Sequence, residues 1–329
     1  MSASSFFRRF LTLFVPSAFR RPHRNGRERV AKEPAVPTPE AAAPAARSCR
    51  VVCVTSGKGG TGKSVIATNL AVYAARHGLR VLLLDADLGL ANAHLLLSIS
   101  PALNLSHVLS GDRRIEDIVA TGPFGLDLVS GGSGVSELAA LDEFQLQTIV
   151  RELTRLKERY DLVIVDTSAG IAPQTMAFLY AASEVILVTT PDVTAMTDAY
   201  AIVKTVHRHS LGTEVRLVVN KAHSPEEAHA VHERISRVSG KFLKKPIPLL
   251  GFVLFDRSVG RSIVVKDPVI HSFPKSPAAK GIAWIAQHVL PGLAAPPAPG
   301  DALATPQRAS EGRRKPPRRG LAAAAPSRN

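Results

Sequence analysis

The chain has 329 residues, 45% of them hydrophobic, enough to bury one large α/β core and still leave terminal extensions. It carries 41 Lys and Arg against 27 Asp and Glu, a formal net charge of +14, with only two cysteines. Cys49 and Cys53 have no His or Cys cluster beside them, which argues against a disulfide framework or a cysteine metal site and fits a reducing cytoplasm.

The charge is unevenly spread. Residues 1–50 hold 10 Lys and Arg against 3 Asp and Glu, residues 296–329 hold 7 against 2, and residues 51–295 hold 24 against 22. The centre is close to neutral and the ends are basic, so attraction to anionic lipid or nucleic acid rests with the ends. No apolar run reaches transmembrane length.

Residues 1–21 contain five of the 12 phenylalanines. At about 100° per residue, Phe6, Phe7, Phe10, Leu11, Leu13 and Phe14 share one helix face, with Arg8, Arg9 and Thr12 opposite and Pro16 ending the pattern. This predicts an amphipathic helix suited to an anionic membrane surface. An organellar transit peptide and a docking helix for a protein partner share the composition and stay open. Residues 22–48 read as a disordered linker and residues 291–329 as a disordered basic tail, since neither offers much to bury against the entropy of ordering. Residues 49–290 read as the folded domain.

The domain begins with an apolar strand at Val51–Val54, then Gly57-Lys58-Gly59-Gly60-Thr61-Gly62-Lys63-Ser64, then a helix from Val65 ending near Gly78. A glycine-rich turn between strand and helix is the context of a phosphate loop. Glycines let backbone N–H groups converge on an oligophosphate, and the helix N-terminus adds partial positive charge. Lys63 is expected on the β/γ-phosphates and the Ser64 hydroxyl on Mg²⁺.

Further strands follow. Arg80–Leu84 runs into Asp85 and Asp87, and Tyr160–Val165 into Asp166, both as continuous apolar runs of the kind found in parallel sheets covered on both faces. Ligand sites in such sheets lie at the carboxyl ends of strands, so these acids should face the phosphates. Asp166 is expected to bind Mg²⁺ as the Walker-B carboxylate, ahead of a γ-phosphate-sensing switch at Ser168–Ile171. Val185–Thr190, Val215–Asn220 and Pro248–Asp256 read as three more strands, the last running into the base pocket with Asp256 at its end. Helices are expected near 141–159, 194–209, 225–238 and 277–289. The alternation predicts an α/β fold: a doubly wound, mostly parallel sheet with helices on both faces.

The second lysine of the loop, Lys58, gives the form K-G-G-x-G-K-[ST], which resembles the deviant Walker A loop of the MinD/ParA ATPases, within the SIMIBI type of P-loop NTPase. Segments Asp85–Asn92, Gly122–Asp127 with Gly131–Gly134, Thr189–Ala201 and Phe273–Lys280 are similar to the flagellar-number ATPases of the FlhG (FleN/YlxH) group. The resemblance covers about residues 50–290. It implies ATP and Mg²⁺ as cofactors and slow, switch-type ATP hydrolysis. It also implies an ATP-dependent homodimer in which Lys58 reaches the partner's nucleotide. Asp87 would orient the attacking water, Asp85 would support the metal, and Asn220 would hydrogen-bond adenine. The implied setting is cytoplasmic and peripheral at the inner face of the cell membrane, with an FlhF-type GTPase and flagellar switch-complex proteins as partners. The resemblance leaves a ParA-type DNA- or cargo-partitioning ATPase and a MinD-type cell-division positioning ATPase as alternatives, and nucleic acid, the partner of the former, is not favoured by the nearly neutral core. Two departures stand out: residues 1–50 lack the GTPase-stimulating Asp-Gln-Ala motif of many relatives, and the C-terminal tail is not an amphipathic helix. Membrane attachment is therefore expected at the N-terminal segment.

Overall fold

The computed structural model describes residues 49–88, 90–132, 141–209 and 213–290. The expected N-terminal helix, the linker, the basic tail and the motif residues Gly89, Ser133 and Gly134 lie outside them.

Eight strands form one sheet: β1 (Arg50–Ser56), β2 (Val81–Ala86), β3 (Ala120–Thr121), β4 (Asp127–Ser130), β5 (Leu162–Thr167), β6 (Glu184–Thr189), β7 (Glu214–Ala222) and β8 (Leu249–Leu254). Their order is β3-β4-β2-β5-β1-β6-β7-β8, parallel throughout except for the β3–β4 pair at one edge. The central strands are apolar at consecutive positions because both faces are covered. In β1, Val51 and Cys53 pack into one core and Val52 and Val54 into the other. In β2, Leu82 and Leu84 join the first core, Val81 and Leu83 the second.

Ten α-helices occur among the described residues: α1 (Lys63–Arg76), α2 (Ala93–Leu96), α3 (Leu105–Leu109), α4 (Glu143–Leu156), α5 (Pro173–Ala181), α6 (Val193–His209), α7 (Pro225–Leu243), α8 (Arg257–Val264), α9 (Val269–Ser272) and α10 (Pro277–Val289). Helices α4 to α7 cover the first face; α1, α9 and α10 cover the second. Asp142 opens α4 with a capping box shared with Gln145, Ser224 caps α7 and Ser276 caps α10.

The expected doubly wound sheet is present, and its six long strands match the expected ones within about two residues. Four features differ. The β3–β4 pair is too short to show alternation in sequence. Helix α5 is apolar all round and buried along most of its length, so it carries no amphipathic period. Helix α7 continues to Leu243, five residues past the expected end, stopping where Lys244 turns left-handed at φ 57°. Strand β8 ends at Leu254 rather than Asp256, because Asp256 is the N-cap of α8.

Candidate functional site

The glycine loop joins the carboxyl end of β1 to α1. Gly62, at φ 89°, is the N-cap of α1 and offers no side chain to the free amides of the first turn. Those amides are left for an anion. A Cβ on Gly62 would sit 2.3 Å from Asn220 Nδ2, and one on Gly57 2.3 Å from the Asp198 carbonyl carbon, so neither tolerates a side chain in place. At Gly59 and Gly60 a Cβ would meet nothing within 4 Å.

Beneath the loop lies a buried electrostatic cluster. Lys63, 6% exposed, places Nζ 2.6 Å from Asp166 Oδ1 and 3.3 Å from Ser64 Oγ. Asp166 is paired in register with Asp85 across β2 and β5. Burial raises the Asp166 carboxyl, opposed by Lys63 and by a Ser64 hydrogen bond. Burial, together with the Asp166 charge, pushes Asp85 up to about 7, partly offset by two backbone donors and Lys63. Those donors are Ala93 N, 2.8 Å from Oδ2, and Asp87 N, 3.2 Å from Oδ1. Asp85 therefore organises the turn after β2, both its oxygens being held by backbone.

Asp87 lies higher, on the wall of the cleft, and accepts a 2.8 Å hydrogen bond from Ser168 Oγ. That contact ties the loop after β2 to the loop after β5. The cleft has a volume of about 530 Å³, within the range of small-molecule sites. One wall is the glycine loop with Lys63, Ser64 and Asp87; the other is apolar, from Val253, Phe255, Val259 and Ile263.

Asn220 and Asp256 border the cleft, but their polar atoms are engaged by protein. Asn220 Nδ2 donates to the Thr61 carbonyl at 2.7 Å, while its Oδ1 accepts from Lys221 N at 2.9 Å. Asp256 accepts from Ser258 N at 2.8 Å and from Ala278 N at 3.1 Å, capping α8 and pinning it to the start of α10.

Lys58 stands apart from the other loop lysine. It borders a second pocket, on the far side of Gly59–Thr61, with Thr190, Pro191 and Asp192. Its Nζ lies 2.8 Å from Asp192 Oδ2 and 2.5 Å from Thr194 Oγ1. Three contributors escape a reading of the sequence. They are Asp192, Thr194 and Lys221, whose Nζ donates to the Gly60 carbonyl at 2.7 Å. Lys221 has φ 59°, a rare conformation for a non-glycine residue, and follows Asn220 directly in sequence. That adjacency was the signal for Lys221; Asp192 and Thr194 lay within the segment Thr189–Ala201 already singled out, without a role given to either.

The residues suit magnesium-bound nucleotide. Asp166 Oδ2 and Thr61 Oγ1 are buried without hydrogen-bond partners among the described residues, and an unpaired buried carboxylate oxygen is costly unless a cation or water completes it. Ser64 and Asp166 offer oxygen donors of the kind Mg²⁺ takes, whereas Asp85, expected beside them, has both oxygens engaged by the amides of Asp87 and Ala93.

A parallel sheet with a glycine-rich loop after its central strand, a buried Lys–Asp pair below and acids on two adjacent strands defines a P-loop nucleotide-binding protein. Residues 52–269 match the CobQ/CobB/MinD/ParA nucleotide binding domain, and the chain belongs to that family. It is 36% identical over 240 residues to the antiactivator FleN of Pseudomonas aeruginosa, a match covering 73% of this chain and 86% of FleN. It is 38% identical over 196 residues to the flagellum site-determining protein YlxH of Helicobacter pylori, covering 58% and 64% respectively. Among solved structures, the septum site-determining protein MinD of Pyrococcus horikoshii, complexed with Mg-ADP, superposes with a TM-score of 0.64 at 25% identity, covering 74% of this chain and 96% of that one.

Proposed function

We propose that this protein is a slow ATP-hydrolysing switch whose ATP-bound form is a homodimer attached to the membrane, and that it restrains the number or placement of flagella. One observation carries the switch: the two loop lysines point to different places. Lys63 serves the chain's own cleft, and Lys58 faces the other side of the loop, where a second subunit can present its nucleotide. Similarity to FleN and YlxH supports the flagellar output.

Lys63 would bind β/γ-phosphate oxygens, exchanging its contact with Asp166 for them, while the α1 amides hold the remaining phosphate charge. Ser64 and Asp166 would hold Mg²⁺, with Asp85 fixing the Asp87 turn behind them. The metal would offset phosphate charge and polarise the γ-group. Asp87, steadied by Ser168, would orient the water that attacks it. Asn220 and Lys221 support the loop by its carbonyls, and the apolar wall from Val253 to Ile263 would receive the base. The Phe-rich N-terminal segment would attach the dimer to anionic lipid at the inner face of the cell membrane. A signal-recognition-type GTPase and flagellar switch-complex proteins are the partners to test.

Deleting the gene and counting flagella beside chromosome inheritance tests the output. A changed flagellar count is expected; normal flagella with defective segregation would assign the protein to DNA partitioning instead.

A further inference from the structure

The sheet ends in an edge that lacks the usual protection. Strand β8 is the last of the eight and, among the described residues, has a strand neighbour on one side only, β7. Its six residues, Leu249-Leu250-Gly251-Phe252-Val253-Leu254, contain no charge and no proline. Edge strands are ordinarily kept from pairing by charges, prolines, bulges or extreme shortness, because their outer N–H and C=O groups template another strand. Two register shifts interrupt the pairing of β8 with β7, and Gly251–Val253 between them stay in step. The opposite edge, β3, has two residues.

A cavity of about 780 Å³ runs along the β8 edge. It touches Leu249, Phe252 and Leu254, which pack toward the first core, and Leu250, which packs into the second, so it wraps the rim of the sheet instead of lying on one face. One wall is α7, through His229, and the other is α10, through Lys280, Trp284 and His288. Helix α10 reaches the rim because Gly281 lies against the β8 backbone: a Cβ there would stand 2.7 Å from the Phe252 carbonyl oxygen. Gly251 in turn leaves room for Trp284, whose Cδ1 would lie 3.3 Å from a Cβ at that position. Trp284 is the only tryptophan of the chain and is 56% exposed.

The two walls differ in chemistry. Toward α7 the lining is apolar except for His229, whose ring centroid lies 5.8 Å from that of Phe252. Toward α10 it holds Lys280, with His288 beside Trp284 at a centroid distance of 4.2 Å. No carboxylate lines the cavity, although Glu226 and Glu233 sit about one turn either side of His229 on α7.

We propose that this rim is a strand-addition site for an extended peptide of another protein, one in which apolar and acidic side chains alternate. Main-chain hydrogen bonds to the outer edge of β8 supply affinity, and the two walls supply the choice of sequence. Successive side chains of an added strand point to opposite faces. One set meets the apolar wall at Leu249, Phe252 and Leu254; the other meets Lys280, where charge favours an acid. A second copy of this chain fits less well, because its β8 is recessed between the same two helices and carries no acid to meet Lys280. The inference stands apart from the ATP switch proposed above.

The test is selection from a phage-displayed library of random dodecapeptides on the full chain, with the Lys280→Glu, Trp284→Ala double variant as counter-target. If the double variant melts below the wild type, Lys280→Glu alone takes its place. Enriched peptides are synthesised and titrated against the intrinsic fluorescence of Trp284. The expected peptides alternate apolar and acidic residues, shift the tryptophan emission, and lose about tenfold or more in affinity for Lys280→Glu. N-methylation of alternate backbone amides abolishes binding in one of its two registers, since it removes the donors to the edge while keeping every side chain. Apolar residues at helical spacing, or binding indifferent to N-methylation in both registers, overturn strand addition. Basic or neutral sequences overturn the acidic partner. If no peptide separates the wild type from the variant, the site itself is refuted. Self-association of the wild type in sedimentation velocity that Lys280→Glu removes would assign the edge to a second copy and overturn the peptide.

Discussion

Lys58 Nζ rests 2.8 Å from Asp192 Oδ2, so the lysine proposed to reach across to a second subunit is held within its own chain. The hydrogen bonds from Lys58 and Thr194 hold the Asp192 carboxyl well below its ordinary range. Both side chains are close to half exposed, at 43% and 48%, and such contacts are weak and easily exchanged. Releasing the tether should favour the partner contact. Asp192→Asn, which keeps the cap on Thr194 N but removes the charge facing Lys58, is expected to tighten ATP-dependent self-association a few-fold without changing the melting temperature. Weakened association in sedimentation velocity would contradict this.

Lys63 and Asp166 are different in kind, their side chains being 7% and 1% exposed. Removing one partner of a buried pair leaves the other uncompensated, at a cost of about 3–5 kcal/mol, whereas replacing both with apolar groups is often nearly neutral. Lys63→Met should therefore lower stability in urea denaturation and abolish nucleotide binding. Adding Asp166→Leu to it should restore stability but not binding. A single variant as stable as the wild type would refute the pairing.

Asn220 distinguishes two roles. As a contact to adenine, its loss would erase discrimination between ATP and GTP. As a brace on the Thr61 carbonyl, its loss would weaken both alike. The hydrogen bonds favour the brace: Asn220→Ala is expected to weaken ATP and GTP equally, by about tenfold, the worth of one buried hydrogen bond. Fluorescent-nucleotide titrations decide it, and selective loss of ATP would restore the base-reading role.

The carboxylates also set a pH dependence. A carboxyl raised from 3.8 to about 7, as Asp85 is, keeps a proton in the folded chain that the unfolded chain has lost. Its stabilisation is therefore complete below the unfolded value and disappears as pH rises through about 7. In EDTA, the unfolding free energy should fall between about pH 4 and 7, and Asp85→Asn should flatten that slope. A flat wild-type profile would contradict the burial of this acid pair.

The parts legible in the sequence were those whose physics is local. Gly57 to Ser64 reads as an anion cradle because a left-handed cap, small residues and a helix start must be adjacent in the chain. Strands ending in Asp85, Asp87 and Asp166 read as site-forming because parallel strands buried on both faces have continuous apolar runs. Contacts between distant segments left no such trace. Lys58 meets Asp192 across 134 positions and Asn220 meets Thr61 across 159. Asp256 looked like a cleft acid because its role as a double helix cap depends on α8, only eight residues long, and on the amide of Ala278, 22 positions away. Helix α5 was hidden for the opposite reason, being apolar on every side.

The central claim is that ATP closes two copies of this chain around their nucleotides through Lys58. Light scattering on the Asp87→Ala variant, which should bind nucleotide without hydrolysing it, addresses this most directly. With Mg²⁺ and ATP the account predicts twice the monomer mass, with ADP the monomer, and with Lys58→Ala added the monomer in both. A monomer under every condition, or a dimer indifferent to nucleotide and to Lys58, would contradict it.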